Sequence, residues 1–412
     1  MVISGIGVSG TRLCATVAWE ENDRPKQTLW FESNLAQVAH SPEAFLVGCA
    51  APAMRDREKR VRVEDEVDPE LLESVADALA YINGGYAYGY DAPALEASRL
   101  RQRPPRPAGR HAGMLSCGVD SLSMLRLNHA RYAETHPRRI SIGITVNGFD
   151  CVTPEHFETL WPRAVDVGQA SGIEVLDLST NISTVAQWPH PTRPFGIYSP
   201  REYEACILAA AAHSLSARIS CISIGSTGVG AGNLLRRLHG SHPALDPLYG
   251  CSWMQVIHAN ATMFRLDKIR AILDWDAAMR NLMVCSKWHR TGLNCGLCGK
   301  CVRTTAEFIA LGKLEESPFR GRRLTPAEIL AVPAVTPSGA MAWKEVIHPL
   351  EAAGRSDLAR AVKALLARER RGERIATLKE RAKQADERYL GGISVRANRF
   401  ARRILLPRRA ES

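Results

Sequence analysis

Two clusters of residues in this 412-residue chain have types and spacing that suit chemistry. The first is Leu115-Ser116-Cys117-Gly118-Val119-Asp120-Ser121. Residues 109–114 before it read as a buried strand, and Leu122-Ser123-Met124-Leu125-Arg126-Leu127 after it has helical spacing. A tight turn of small residues between strand and helix leaves backbone N–H groups at the helix N-terminus. With the helix dipole behind them, they suit a phosphate or pyrophosphate. No Gly-Lys-Ser/Thr follows, so the stretch is not a Walker A loop. The plainer alternative is a strand–turn–helix corner with Ser and Asp as caps. The second cluster is Cys285, Cys295, Cys298 and Cys301, spaced C-x9-C-x2-C-x2-C. Four thiolates at that spacing can close a tetrahedron on one metal and leave no open position, which makes the site structural. Zinc is the first expectation, and an Fe–S cluster is the rival. Lys287, Arg290, Lys300 and Arg303 flank the cysteines, where they would offset thiolate charge; Lys287 and Arg290 are candidate substrate contacts.

Two further stretches are candidates. Gly225-Ser226-Thr227-Gly228-Val229-Gly230-Ala231-Gly232 is a glycine- and hydroxyl-rich loop, with Gly225, Ser226 and Thr227 as candidate nucleotide contacts. In Gly240–Tyr249, His242 and Asp246 each precede a proline, which fixes the turn and can aim polar groups into a cleft. Both are candidate substrate or metal contacts; the alternative is a capped turn.

The elements that must position these residues alternate. Strands are expected at 140–146, 173–178 and 219–224, and helices at 154–170 and 200–217. That order argues for an α/β fold with a doubly wound parallel sheet. Ligands in such sheets bind beyond the carboxyl ends of the strands. Three segments leave that edge: the Ser116 loop, the turn Asn147-Gly148-Phe149-Asp150, and the Gly225 loop. Residues 1–100 read as an N-terminal α+β domain for docking or substrate selection, and 101–110, rich in Pro and Arg, as a linker. Residues 111–312 form the nucleotide domain with the four-cysteine site. Residues 313–412 are expected to be helical, ending in a basic tail from Arg396 onward.

Eleven cysteines, four of them clustered, fit a reducing compartment rather than a disulfide framework. No long apolar run and no signal-peptide pattern is present, so the expected location is the cytoplasm, without a membrane span. A net charge of +10 suits acidic ligands, but no basic motif is interleaved with aromatics, and nucleic acid is not the favoured partner. A homo-oligomer is expected.

The loop resembles the PP-loop of the N-type ATP pyrophosphatases, Ser-Gly-Gly-x-Asp-Ser, with Cys117 in place of the first glycine. Together with Cys295-Gly296-Leu297-Cys298-Gly299-Lys300-Cys301-Val302-Arg303, it resembles the 7-cyano-7-deazaguanine synthase branch over roughly residues 110 to 310. Cys117, the nine-residue first gap and the Gly240–Tyr249 turn depart from that branch. The resemblance implies adenylation of a carboxylate, amide or carbonyl oxygen by ATP, pyrophosphate release, and displacement of AMP by a nitrogen or sulfur nucleophile. It gives Asp120 a role in organising Mg²⁺, and makes Ser116, Gly118, Val119 and Ser121 phosphate contacts. A small-molecule substrate and an ammonia or sulfur donor are the implied partners. A thiol at a helix N-terminus is expected to have a lowered pKa, so Cys117 is a candidate sulfur carrier or nucleophile. The rival readings are a tRNA-thiolating enzyme and a non-catalytic nucleotide-binding protein.

Overall fold

The computed structural model describes residues 1–86, 89–104, 110–149, 154–186, 200–227, 240–285, 293–333, 335 and 337–371. The strands are β1 (Val2–Ser9), β2 (Arg12–Ala18), β3 (Gln27–Glu32), β4 (Arg60–Val67), β5 (Ala94–Leu100), β6 (Arg110–Met114), β7 (Ile140–Asn147), β8 (Glu174–Thr180), β9 (Ile219–Gly225) and β10 (Gln255–Ala259). They form one sheet in the order β10-β9-β6-β7-β8-β3-β2-β1-β4-β5. From β10 to β8 every pair is parallel, as the alternation of strand and helix requires. β3 meets β8 antiparallel through Phe31–Thr180 and Glu32–Ser179, and the β1–β2–β3 meander is antiparallel. β1–β4–β5 is parallel again.

The expected α/β architecture, a large and mostly parallel sheet with helices, is therefore present. The strands of residues 1–100 extend this sheet. One core cluster holds Met1, Ile3, Phe45 and Val61 together with Ala112, Ile142 and Ile222.

Helices α1 (Pro42–Arg55) and α5 (Pro200–Ser214) contribute to this core. Ser41 caps α1 by accepting the Ala44 N–H at 3.3 Å, and Pro42 needs no partner at the first helical position. α2 (Pro69–Tyr86) packs against the 246–249 turn. The second core cluster gathers residues of α3 (Val119–Arg131) and α4 (Pro154–Ser171) with Leu115, Ile140, Cys117 and two of the clustered cysteines. A third cluster joins helix Gly299–Ala310 to the helices that follow, including 356–371. Thr325 starts the helix Pro326–Leu330 with a full capping box to Glu328. Among the described residues no helix is long and apolar enough to cross a membrane.

Candidate functional site at the carboxyl edge of the sheet

β6 ends at Met114, and the next four residues make the turn into α3. Leu115 continues the ladder, donating its N–H to Ile144 O at 2.8 Å and accepting from Thr145 Oγ1 at 3.0 Å. Gly118 occupies the N-cap of α3, and no side chain caps the helix there. Ser116 is exposed on the loop. Ser121 is buried and braces it, donating its hydroxyl to Gly118 O at 3.1 Å and accepting the Ser116 N–H at 3.3 Å.

Cys117 stands differently from expectation. Its φ is +53°, the left-handed region that favours glycine, and its side chain is fully buried in the core beneath the loop. Burial pushes the thiol up to about 12, with Arg163 opposing weakly. The lowered pKa expected from the helix N-terminus is thus overturned: desolvation outweighs the dipole. The exposed mouth of the loop belongs to Ser116. Iodoacetamide at about pH 8 is expected to leave Cys117 unmodified until the chain is denatured. Peptide mapping that finds native Cys117 alkylated would contradict this burial.

Asp120, in the first turn of α3, keeps about a quarter of its side chain exposed. Lys268 of helix Arg265–Arg270 reaches it at 2.9 Å from a side chain that is 1% exposed. The same ammonium donates to the carbonyl of Ser226, at the end of β9. Ser226 in turn donates its N–H to Ala259 O at 2.9 Å. Gly225 lies so close to α3 that a Cβ there would be 2.8 Å from Asp120 O. Two of the three loops expected at this edge are therefore in contact, and Lys268 joins them. Gly225→Ala is expected to destabilise the fold by about 1–3 kcal/mol, because the clash is with backbone. A denaturant midpoint equal to wild type would count against that packing.

Behind Lys268 lies a buried cluster of charge. Arg265 Nε donates to Glu307 at 3.0 and 3.2 Å, and its Nη2 donates to Thr304 Oγ1 at 3.2 Å. Burial works against the Arg265 charge, but Glu307 and Asp120 hold its pKa above the usual value. Arg303 lies 3.5 Å from the same Glu307 oxygen, and burial, then the neighbouring Arg265, lowers its pKa to about 10. Glu345 accepts the Leu266 N–H at 3.1 Å, and burial raises its carboxyl to about 7. An unfolded chain releases that proton near pH 4.5, whereas the folded chain keeps it to about pH 7. Through this window unfolding releases a proton, so the contribution of Glu345 lowers stability as pH rises. Glu345→Gln is expected to be more stable than wild type at about pH 8, with the advantage gone by about pH 4, as denaturation at the two pH values will show.

The four cysteines come together. Cys285 and Cys298 sulfurs are 3.9 Å apart, as are Cys295 and Cys301, and all four lie within 4.8 Å of one another. A tetrahedron of ~2.3 Å metal–sulfur bonds has edges of about 3.8 Å, so the cluster fits one ion. The N–H groups of Leu297 and Cys298 point at Cys295 Sγ at 3.4 and 3.2 Å, and that of Cys295 at Cys285 Sγ at 3.4 Å. Burial, then the neighbouring Cys298, holds the Cys301 thiol protonated beyond its usual range. A cation among the sulfurs reverses that preference. Asn294 ties the knot by accepting Val284 N–H at 3.0 Å and donating to Leu282 O at 2.8 Å. The knot also supports the Ser116 loop: Met283, two residues before Cys285, donates its N–H to Cys117 O at 2.8 Å.

His242 and Asp246 do not open into a cleft. Both are at most 1% exposed, and Asp246 accepts from the His242 N–H at 2.7 Å and Ser241 Oγ at 2.8 Å. The prolines lock the turn, but they lock it inward: Tyr81 of α2 bonds His242 Nδ1 at 3.3 Å. This is the capped-turn arrangement. Thr227 is exposed beside Ser226. Lys287, Arg290 and the remainder of the glycine-rich loop lie outside the described residues.

Sequence reasoning does not single out Lys268, Arg265, Glu307 or His258. Lys268 sits in Arg265-Leu266-Asp267-Lys268-Ile269-Arg270, which reads as an ordinary amphipathic surface turn. Comparison with protein-family models, with curated proteins and with solved structures gives no match for this chain.

Proposed function

We propose that this chain is an ATP-dependent adenylating enzyme. It activates a carboxylate, amide or ring carbonyl oxygen of a small molecule, releases pyrophosphate, and lets a nitrogen nucleophile displace AMP. The observation that carries this reading is the bridge from Asp120 through Lys268 to Ser226. A buried ammonium joins two loops at the carboxyl edge of a parallel sheet, beside a helix N-terminus that no side chain caps. This is where an α/β sheet presents itself to a phosphorylated ligand.

In this reading the first N–H groups of α3 bind the pyrophosphate that leaves, and they stabilise charge as it develops. Lys268, Arg265 and Arg303 add positive potential. Asp120, with one oxygen on Lys268, offers the other to Mg²⁺, which when bound neutralises phosphate charge. Nitrogen is the nucleophile, because the buried Cys117 thiol is unsuited to carry sulfur. The metal of the knot is zinc, in a structural role. In an Fe–S cluster the thiolates ligate different irons, which needs wider separations than those found here.

The test is product analysis. Full-length protein with Mg-ATP and a panel of carboxylates, including a deazapurine carboxylate, is expected to form AMP and pyrophosphate only when the right acid is present. Formation of ADP and phosphate, or failure to bind ATP, would reject the proposal.

A further inference from the structure

Asp246 is fully buried, and besides the Ser241 and His242 bonds it accepts from Nδ1 of His258 at 2.8 Å. Among the described residues no lysine or arginine pairs with it. With Nδ1–H donating to the carboxylate, Nε2 of His258 carries a lone pair. That atom is buried and has no partner among the described residues, on a side chain that is 2% exposed.

Its place in the sheet matters as much. His258 pairs with Ile224 one position before β9 and β10 end at Gly225 and Ala259. Those end residues adjoin Ser226, whose carbonyl takes Lys268. β10 lies two strands from β6, about 10 Å at the usual strand spacing. His258 is thus carried near the end of β10, at the same edge of the sheet as the Ser116 loop, with its side chain turned into the interior.

We infer that His258, oriented by Asp246, is the general base for the attacking nitrogen. This deepens the adenylation reading and rests on it. Nε2 takes a proton from ammonium, the lone pair so freed forms a bond to the activated carbon, and the bond from that carbon to the AMP oxygen breaks. AMP leaves with the electron pair, and the remaining excess proton on nitrogen passes to solvent. Asp246 holds the resulting imidazolium until the proton returns to solvent. Asp246 is a positioning residue in this scheme, and Ser241 and the His242 N–H hold its carboxylate in place. α2 contributes through Tyr81 on His242, which gives the N-terminal region a part in keeping the base aligned.

Two measurements on the full chain test this. Nitrogen NMR of ring-labelled histidine is expected to find His258 as the Nδ1–H tautomer, the reverse of free histidine. In His258→Gln, ATP–pyrophosphate exchange with the acid that supports it is expected to stay within about threefold of wild type, while AMP release to ammonium falls about 10²–10⁴-fold. Hydroxylamine, unprotonated at neutral pH, is expected to recover most of that loss. An Nε2–H tautomer, an unchanged transfer rate in His258→Gln, or equal loss of both half-reactions would overturn the inference; the last would mark His258 as structural. If wild type catalyses no exchange with any acid of the panel, the adenylation reading fails and the inference falls with it.

Discussion

Purified protein is expected to hold about one zinc per chain, and Cys298→Ser is expected to lose both the metal and the ordered Ser116 loop. Structural zinc contributes apparent binding free energies of about 10–16 kcal/mol, and in small sites this is folding free energy. Here it is coupled to the rest of the fold at two points. Cys298 is the N-cap of helix Gly299–Ala310, which lies between the second and third core clusters. Met283, on the segment that enters the knot, donates its N–H to the carbonyl of Cys117, the residue in the left-handed conformation. A loss of several kcal/mol in stability is expected, together with loss of ATP binding. Elemental analysis, denaturation and ATP titration of the one variant check all three. Zinc-free protein that binds ATP as wild type does would detach the knot from the site.

Lys268→Met is expected to abolish AMP formation, by at least about 10²-fold, and to destabilise the fold by about 2–3 kcal/mol. The substitution leaves Asp120 without its cation and the Ser226 carbonyl without the ammonium. Asp120 is partly exposed, so the cost falls below that of a fully buried broken pair. Asp120→Asn keeps a polar partner for Lys268 and is expected to fold well, yet to lose activity. The double variant separates the roles. Stability is expected to recover relative to Lys268→Met alone, because no unpaired carboxylate remains, and activity is not. If the double variant is as unstable as the sum of the two single changes, Lys268 acts by packing rather than by charge.

What is legible in the sequence follows from how local each signal is. The strand–turn–helix at Ser116 and the C-x2-C-x2-C run are each set within ten residues, and both take the expected local form. Cys117 misleads because its sequence neighbourhood, a helix N-terminus, predicts activation, whereas its backbone angle turns the side chain into the core. β1, β5 and β10 escape a reading of the sequence. Ala94–Leu100 mixes apolar residues with Glu96 and Arg99, and Gln255–Ala259 is five residues long; neither alternates cleanly. The bridge through Lys268 spans 148 residues of chain, and the Asp177 contacts to Ser33 and Asn34 join the N-terminal strands to β8 over comparable separations. Only the folded sheet brings such partners together. His242 and Asp246 stand out as a pair in the sequence, but the nitrogen left unpaired beside Asp246 belongs to His258, twelve residues further on.

The most direct test of the central claim follows one oxygen atom. A carboxylate that supports AMP formation, labelled with ¹⁸O in its carboxyl group, is incubated with the full-length protein, Mg-ATP and ammonium. The phosphate of the AMP product is then examined by mass spectrometry. The account predicts one ¹⁸O in AMP and none in pyrophosphate, because the substrate oxygen attacks the α-phosphorus and leaves with it. AMP that carries only unlabelled oxygen, or nucleotide cleaved to ADP and phosphate, would contradict adenylation at this site.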